Sequence, residues 1–320
     1  MVALKRLLPD RFLLILLGTL AFATILPARG IALDIVGWVS NAAIFLLFFL
    51  HGARLSRSAV FEGAKRWRLH AAILAFGYAA FPLAGYGASR LFEPVLAAPL
   101  LTGLIFLGVL PTTVQSSIAY ASIARGNVAA SVIAAAISNL LGVVLVPLLL
   151  LAFGVAVAGS GGADGALKIG LLLLLPFFLG QLLSNRVRPF AQRHAKVAGM
   201  MDKLTIVIAV YVAFSEAAND GLWSRLAPSE LAIVGAIVLA LLLLAFAASW
   251  GLGALLGLSR EDRVTLLFSA SHKSLATGAP MARILLPPAI AGAAILPLML
   301  YHQLQLMLSA VIADRIARRD

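Results

Sequence analysis

Residues 269–280 read Ser269-Ala270-Ser271-His272-Lys273-Ser274-Leu275-Ala276-Thr277-Gly278-Ala279-Pro280, a polar stretch with apolar sequence on either side. No Asp, Glu, Lys or Arg occurs from Leu231 to Ser259 before it, or from Ile284 to Ala313 after it. Two further charge-free runs, Pro94 to Ala124 and Gly126 to Ala163, lie earlier in the chain. Each exceeds the roughly 20 apolar residues that a helix needs to cross a bilayer core. The chain is 62% hydrophobic and 12% charged, and its mean hydropathy is +1.02. Soluble domains carry about 25% charged residues, so a large water-soluble helical protein would lack the polar surface to cover itself. Residues 269–280 are therefore a polar interruption inside a membrane-spanning segment.

Hydrophobic runs set against charged or Pro/Gly-rich breaks predict an all-α membrane protein with ten transmembrane helices. They fall at about 12–27, 33–51, 69–91, 97–122, 128–153, 167–185, 204–219, 229–257, 264–283 and 288–313. With the N-terminus cytoplasmic, nineteen of the 25 Lys and Arg fall inside, in groups at 5–11, 54–68, 125, 186–203, 260–263 and 315–319. Five fall outside (Arg29, Arg90, Lys168, Arg225 and Arg283), and Lys273 lies within a span. That loop-by-loop alternation places both termini in the cytoplasm. It also accounts for the net charge of +12 without nucleic acid as a partner. The partner implied instead is a lipid bilayer, here the cytoplasmic (inner) membrane. The first apolar segment runs almost directly into the second, which reads as a retained helix rather than a cleaved signal. There is no cysteine, which excludes disulfides and thiolate-held metals.

The external connection around Gly159-Ser160-Gly161-Gly162 reads as a flexible linker at the chain's midpoint. It divides the chain into 1–153, a linker at 154–166, and 167–320, with five spans in each half. An odd number per half makes the second half enter the membrane in the opposite sense, as inverted repeats do. The polar stretches agree. Leu110-Pro111-Thr112-Thr113-Val114-Gln115-Ser116-Ser117 lies in the fourth span of the first half, and residues 269–280 lie in the fourth of the second. Gln115 precedes Arg125 by ten residues, as Lys273 precedes Arg283. In that register Ser116/Ser274, Ala121/Ala279, Ala124/Ala282 and Arg125/Arg283 are identical.

Pro111, Gly278 and Pro280 weaken a continuous helix, and freed carbonyls in hydrocarbon survive only inside protein or beside water. Paired interrupted helices at matching positions point to a midplane substrate or ion site; close packing of Ser/Thr-rich helices is the plainer reading. Lys273 is the sharpest residue, because an ammonium near the bilayer centre costs at least ~2.5–3.5 kcal/mol. It must pair with an acid, sit among carbonyls and hydroxyls of the broken helices, or give up its proton. Gln115, Ser116, Ser117, His272 and Ser274 accompany it as candidates. Glu216, near the outer end of the seventh span, is an interfacial carboxylate or a substrate or proton group. Ser131, with Ser138 and Asn139, breaks the fifth span. His302 and Gln303, with Gln305, break the tenth, and interhelical hydrogen bonds are the alternative use for all of these.

These residues resemble the bile acid:sodium symporter family, in the branch typified by solute carrier family ten member seven. The resemblance runs over nearly all of the chain. It is clearest at 48–57 (Phe48-Phe49-Leu50-His51-Gly52-Ala53-Arg54-Leu55-Ser56-Arg57), at Leu110–Asn127, at Ala213–Ala217, at Ser271–Ala282 and at Leu296–Met307. It implies a panel of spans 1, 2, 6 and 7 and a core of spans 3, 4, 5, 8, 9 and 10. Spans 4 and 9 would be broken and crossing, with substrate between the two parts. In the sodium-coupled branch a Ser-Asn pair aligns with Ser116 and Ser117, and a fifth-span Ser with Ser131. A Thr one turn later falls on Ala135, the sodium-ligating Glu near Phe268, and the following Gln near His272. With the acid gone, a lysine beside the site repels Na⁺ by about 4 kcal/mol at ~4 Å and an effective dielectric of ~20.

The sequence thus predicts a secondary transporter of a small organic anion, working by alternating access without a cofactor and without the two-sodium coupling of that branch. A sodium-coupled symporter is the alternative, and a non-transporting regulator on the same fold is another. No His-Glu-x-x-His or Gly-x-Gly-Asp motif suggests an intramembrane enzyme, and no filter motif suggests a channel.

Overall fold

The computed structural model describes residues 11–54, 66–157, 170–221 and 226–318. Most of the expected linker (154–166) and the basic loop around Arg57 and Lys65 lie outside them. Among the described residues there is no strand, and the chain forms thirteen helices. They are α1 (Arg11–Ile25), α2 (Gly30–Arg54), α3 (Trp67–Leu91), α4 (Ala98–Val109), α5 (Val114–Ile123), α6 (Val128–Ala152) and α7 (170–182). There follow α8 (Ser184–Arg193), α9 (Ala195–Asn219), α10 (Pro228–Leu255), α11 (Arg260–Ser271), α12 (Leu275–Leu285) and α13 (Pro288–Ala317).

Among the described residues, six helices are long and apolar enough to cross a membrane: α2, α3, α6, α9, α10 and α13. The pair α4–α5, bent by 57° at its break, would make a seventh crossing, and Leu14–Ile25 and Leu171–Leu182 are shorter apolar helices. Large apolar side chains face outward, among them Ile31, Ile35, Leu244 and Leu255, as lipid in place of water allows.

Local chemistry sets the helix ends. Prolines open α4, α10 and α13, where a missing N–H costs nothing. The α4–α5 break follows from Pro111, since Leu110 takes the extended conformation (φ −67°, ψ 150°) that a residue before proline prefers. The α11–α12 break has no proline in it. His272 and Ser274 are extended, and Ser274 caps α12 by accepting a hydrogen bond from the Thr277 N–H. Gly278 and Pro280, expected to weaken this span, lie inside α12; the helix yields several residues earlier, where polar groups from neighbours can take over the backbone. The seventh hydrophobic run, read as 204–219, belongs to a helix that begins nine residues sooner, at Ala195.

The helices pack mainly in two groups. In one, α1, α2, α7, α8 and α9 lie together; in the other, α3–α6 and α10–α13 do; α9 bridges them by packing on α12 and α13. Glycines permit the closest approaches. A Cβ on Gly52 would overlap the Phe177 carbonyl, and one on Gly180 the Phe49 carbonyl, which locks α2 to α7. Between the groups, a Cβ on Gly292 of α13 would come within 2.8 Å of the Ala213 carbonyl of α9.

Candidate functional site

The two helix breaks meet. Ser274 N donates to the Pro111 carbonyl (3.0 Å), and Thr113 Oγ1 donates to the Lys273 carbonyl (2.8 Å). At their meeting point Lys273 is 1% exposed. Its ammonium donates to the carbonyls of Gly108 (2.7 Å), Leu110 (2.8 Å) and Gly77 (3.1 Å), and lies 4.5 Å from the centre of the Phe81 ring. An ammonium has three protons, and all three are used. Of the three environments open to Lys273, this is the one built from broken-helix carbonyls. Among the described residues no carboxylate forms an ion pair with it.

The carbonyls have traceable origins. Gly108 and Leu110 sit where α4 stops, so their oxygens lack helical partners, and a cation there also meets the negative end of the helix dipole. Gly77 lies in a π-turn, Phe76–Ala80, inside α3. Such a turn widens the backbone ladder and is frequent at functional sites. Phe81, directly after it, presents its ring to the ammonium, a cation–π contact.

Other side chains hold this arrangement. Gln305 clamps the Lys273 backbone, accepting from its N–H (2.8 Å) and donating to its carbonyl (3.0 Å). Gln305 Nε2 also lies 2.9 Å from His302 Nδ1. His272 spans two helices, with Nδ1 3.0 Å from Ser116 Oγ and Nε2 2.8 Å from Ser309 Oγ. Tyr301 donates to the Ser271 carbonyl at 2.6 Å. Asn139 donates to the Thr112 carbonyl (3.0 Å) and accepts from Thr277 Oγ1 (3.1 Å), while Ser138 Oγ accepts from the Thr112 N–H.

The structure thus gathers Ser116, Ser117, His272, Lys273, Ser274 and His302 at the crossing. Ser117 donates to the Thr113 carbonyl. Ser131, fully buried, pairs its hydroxyl with Ser269 at 3.3 Å. Gln115 is exposed on α5, and Gln303 Oε1 is buried with no hydrogen-bond partner. Phe268 and Ala135, near and at which the resemblance puts an acid and a Thr of the sodium-coupled branch, are both fully buried and apolar. The hydroxyls around them, of Ser116, Ser117 and Ser131, are engaged in hydrogen bonds.

Glu216 lies elsewhere. Its Oε1 is 3.1 Å from Arg283 Nη2, with the two side chains 13% and 10% exposed. Among the described residues this ion pair is the one that joins the two helix groups, α9 to α12. It borders a cavity of about 190 Å³ lined also by Leu33, Asp34, Gly37, Trp38 and Asn41 of α2. Arg283 Nε and Asn41 Oδ1 are buried without hydrogen-bond partners. Asp34, Trp38, Asn41 and Arg283 were not singled out as site residues from the sequence. Gly77 and Gly108 act through backbone oxygens, which no side-chain pattern reveals.

Six helices long and apolar enough to cross a membrane, packed around two helix breaks that meet, are the architecture of a multi-pass membrane protein. A family model covering residues 10–318 matches, and the chain belongs to the SBF-like CPA transporter family. It is 45% identical to an uncharacterized Pseudomonas aeruginosa protein over 317 residues, 98% of this chain and 95% of that one. It is 40% identical over 312 residues to YfeH of Escherichia coli, provisionally named a symporter, covering 97% of this chain and 93% of that one. It is 26% identical over 291 residues to mouse (Mus musculus) sodium/bile acid cotransporter 7, 87% of this chain and 83% of that one. The resemblance to the bile acid:sodium symporters therefore holds.

Proposed function

We propose that this chain is a secondary transporter in which Lys273 takes the place of a sodium ion. In this reading ten crossings form two inverted repeats, 1–153 and 167–320, joined by 154–166. The group of α1, α2, α7 and α9 is the panel, the group containing both broken helices is the core, and the solute binds between them. The solute is a small organic molecule with an anionic group, carried across the cytoplasmic membrane by alternating access. The basic residues support an orientation with both ends of the chain in the cytoplasm. The names of the relatives, a symporter and a sodium/bile acid cotransporter, support solute transport as the activity.

The observation that carries the reading is the Lys273 ammonium held by three backbone carbonyls at 2.7–3.1 Å. Carbonyl oxygens converging on one point are what a small monovalent cation needs, and here a tethered cation fills that point. The same engagement makes Lys273 unavailable to the solute, so its role is to hold the crossing rather than to bind cargo.

The test is thermal unfolding of the purified protein in detergent, titrating Na⁺ against choline. A bound ion stabilises the native state by mass action. Wild type is expected to ignore Na⁺, and Lys273→Ala, which opens the carbonyl cluster, to gain a sodium-selective stabilisation. Selective stabilisation of wild type by Na⁺ would make the protein a sodium symporter with an unfamiliar ligand set and end the substitution reading.

A further inference from the structure

The cavity between α2, α9 and α12 has a donor and acceptor inventory that selects a class of ligand. On the α12 side the Arg283 side chain is nine-tenths buried. One of its nitrogens, Nη2, meets Glu216, while Nε has no partner and the side chain borders the cavity. A buried guanidinium N–H left unpaired is costly, and a carboxylate is the group that guanidinium geometry matches best. On the α2 side stand the Asp34 carboxylate, exposed, and Asn41 Oδ1, a buried acceptor without a donor. Trp38 offers an aromatic face on the same helix.

A simple anion suits the Arg283 side alone, and it would enter beside two carboxylates set against one guanidinium. A simple amine suits Asp34, Asn41 and Trp38 but leaves Arg283 Nε unanswered. A molecule with both groups answers both sides. The space is small too, about 190 Å³ and partly open, which suits a small molecule.

We infer that this cavity is the receiving site for a small zwitterion, its carboxylate on Arg283 and its ammonium on Asp34, with Trp38 and Asn41 lining the space around it. This rests on the transport reading and narrows it, turning the anion-bearing solute into an amino-carboxylate. Because α2 and α12 belong to different helix groups, the ligand bridges the two parts that the transport cycle moves. The carboxylate also arrives beside the Glu216–Arg283 pair, the existing link between those parts.

The experiment is thermal unfolding of the purified full-length protein with alanine, β-alanine and γ-aminobutyrate, against propionate and propylamine as single-charge controls. At least one zwitterion should raise Tm by about 3 °C or more at saturation, with neither control doing so. Asp34→Asn, an exposed change expected to leave the unliganded Tm alone, should abolish the shift, as should Arg283→Lys. A shift from propionate or propylamine equal to that from the zwitterions overturns the assignment. So does no shift with any zwitterion, or a shift that survives both substitutions. Counterflow of the stabilising zwitterion in proteoliposomes separates the two claims. Binding without flux sinks the transport reading and leaves the site standing; flux of a solute that neither substitution affects sinks the site and leaves transport standing.

Discussion

The crossing of the broken helices and the cavity beside Arg283 are built from the same materials and finished differently. Both place one buried cation of the ninth hydrophobic segment among oxygens of neighbouring helices. Around the lysine the accounts close, since the Lys273 ammonium has three carbonyls, His272 is bonded at both ring nitrogens, and Gln305 holds both backbone groups of Lys273, while Thr112 Oγ1 at the edge of the break is buried without a partner. At the cavity they stay open, with Arg283 Nε and Asn41 Oδ1 unanswered. A closed network inside hydrocarbon fixes one geometry. An open one beside a cavity has unmet capacity, and a ligand can supply it.

The contrast can be broken by substitution, and the largest effect belongs to the crossing. Lys273→Met should lower stability by about 3 kcal/mol, because it strands three carbonyls and removes the charge that offsets the end of α4. Thermal or denaturant unfolding in detergent reads this, and a variant as stable as wild type would mean that the carbonyls are satisfied without the ammonium. Gln305→Leu should cost less, about 2 kcal/mol, since it frees only the backbone of Lys273, and hydrogen bonds within membranes are individually modest. Its unfolding midpoint should fall between those of Lys273→Met and wild type. Glu216→Gln keeps a hydrogen-bond acceptor for Arg283 and loses only the charge, so about 1 kcal/mol is expected. High salt should leave that loss largely in place, because the pair is out of bulk water. Asp34→Asn should change unliganded stability by no more than ~0.5 kcal/mol; a larger loss would show that Asp34 is already engaged at the cavity.

The helices were legible because hydropathy and charge spacing alone mark apolar runs, and α2, α3, α6, α10 and α13 start or stop within a few residues of the expected points. Pro111 announced the first break. The second falls at His272–Ser274, inside the polar stretch 269–280, while Gly278 and Pro280, which look disruptive in sequence, are carried within α12. Lys273 was legible as a residue needing an explanation, since charge is rare at that depth. Its partners were not, being backbone oxygens of Gly77, Gly108 and Leu110. Gln305 ranked below Gln303 in the sequence, two residues away on α13, and only the rotation of the helix decides which faces the crossing. The Arg283 cavity escaped notice for a related reason. Asp34, Asn41, Glu216 and Arg283 come from three distant segments; Asp34, Glu216 and Arg283 each sit near a span end, where a polar residue is ordinary, and Asn41 is a lone amide in an apolar run.

The π-turn Phe76–Ala80 has a consequence for length changes in this chain. A π-turn holds one residue more than the α-helical turn it replaces, so deleting a single residue there would restore regular winding. The remainder of α3, Phe81–Leu91, would then rotate by about 100° and shift by ~1.5 Å relative to the half before it. The Gly77 carbonyl would shift relative to the ammonium, and the Phe81 ring would swing off it. One codon removed at this point, far from Lys273 in sequence, would therefore undo the crossing about as thoroughly as replacing the lysine itself.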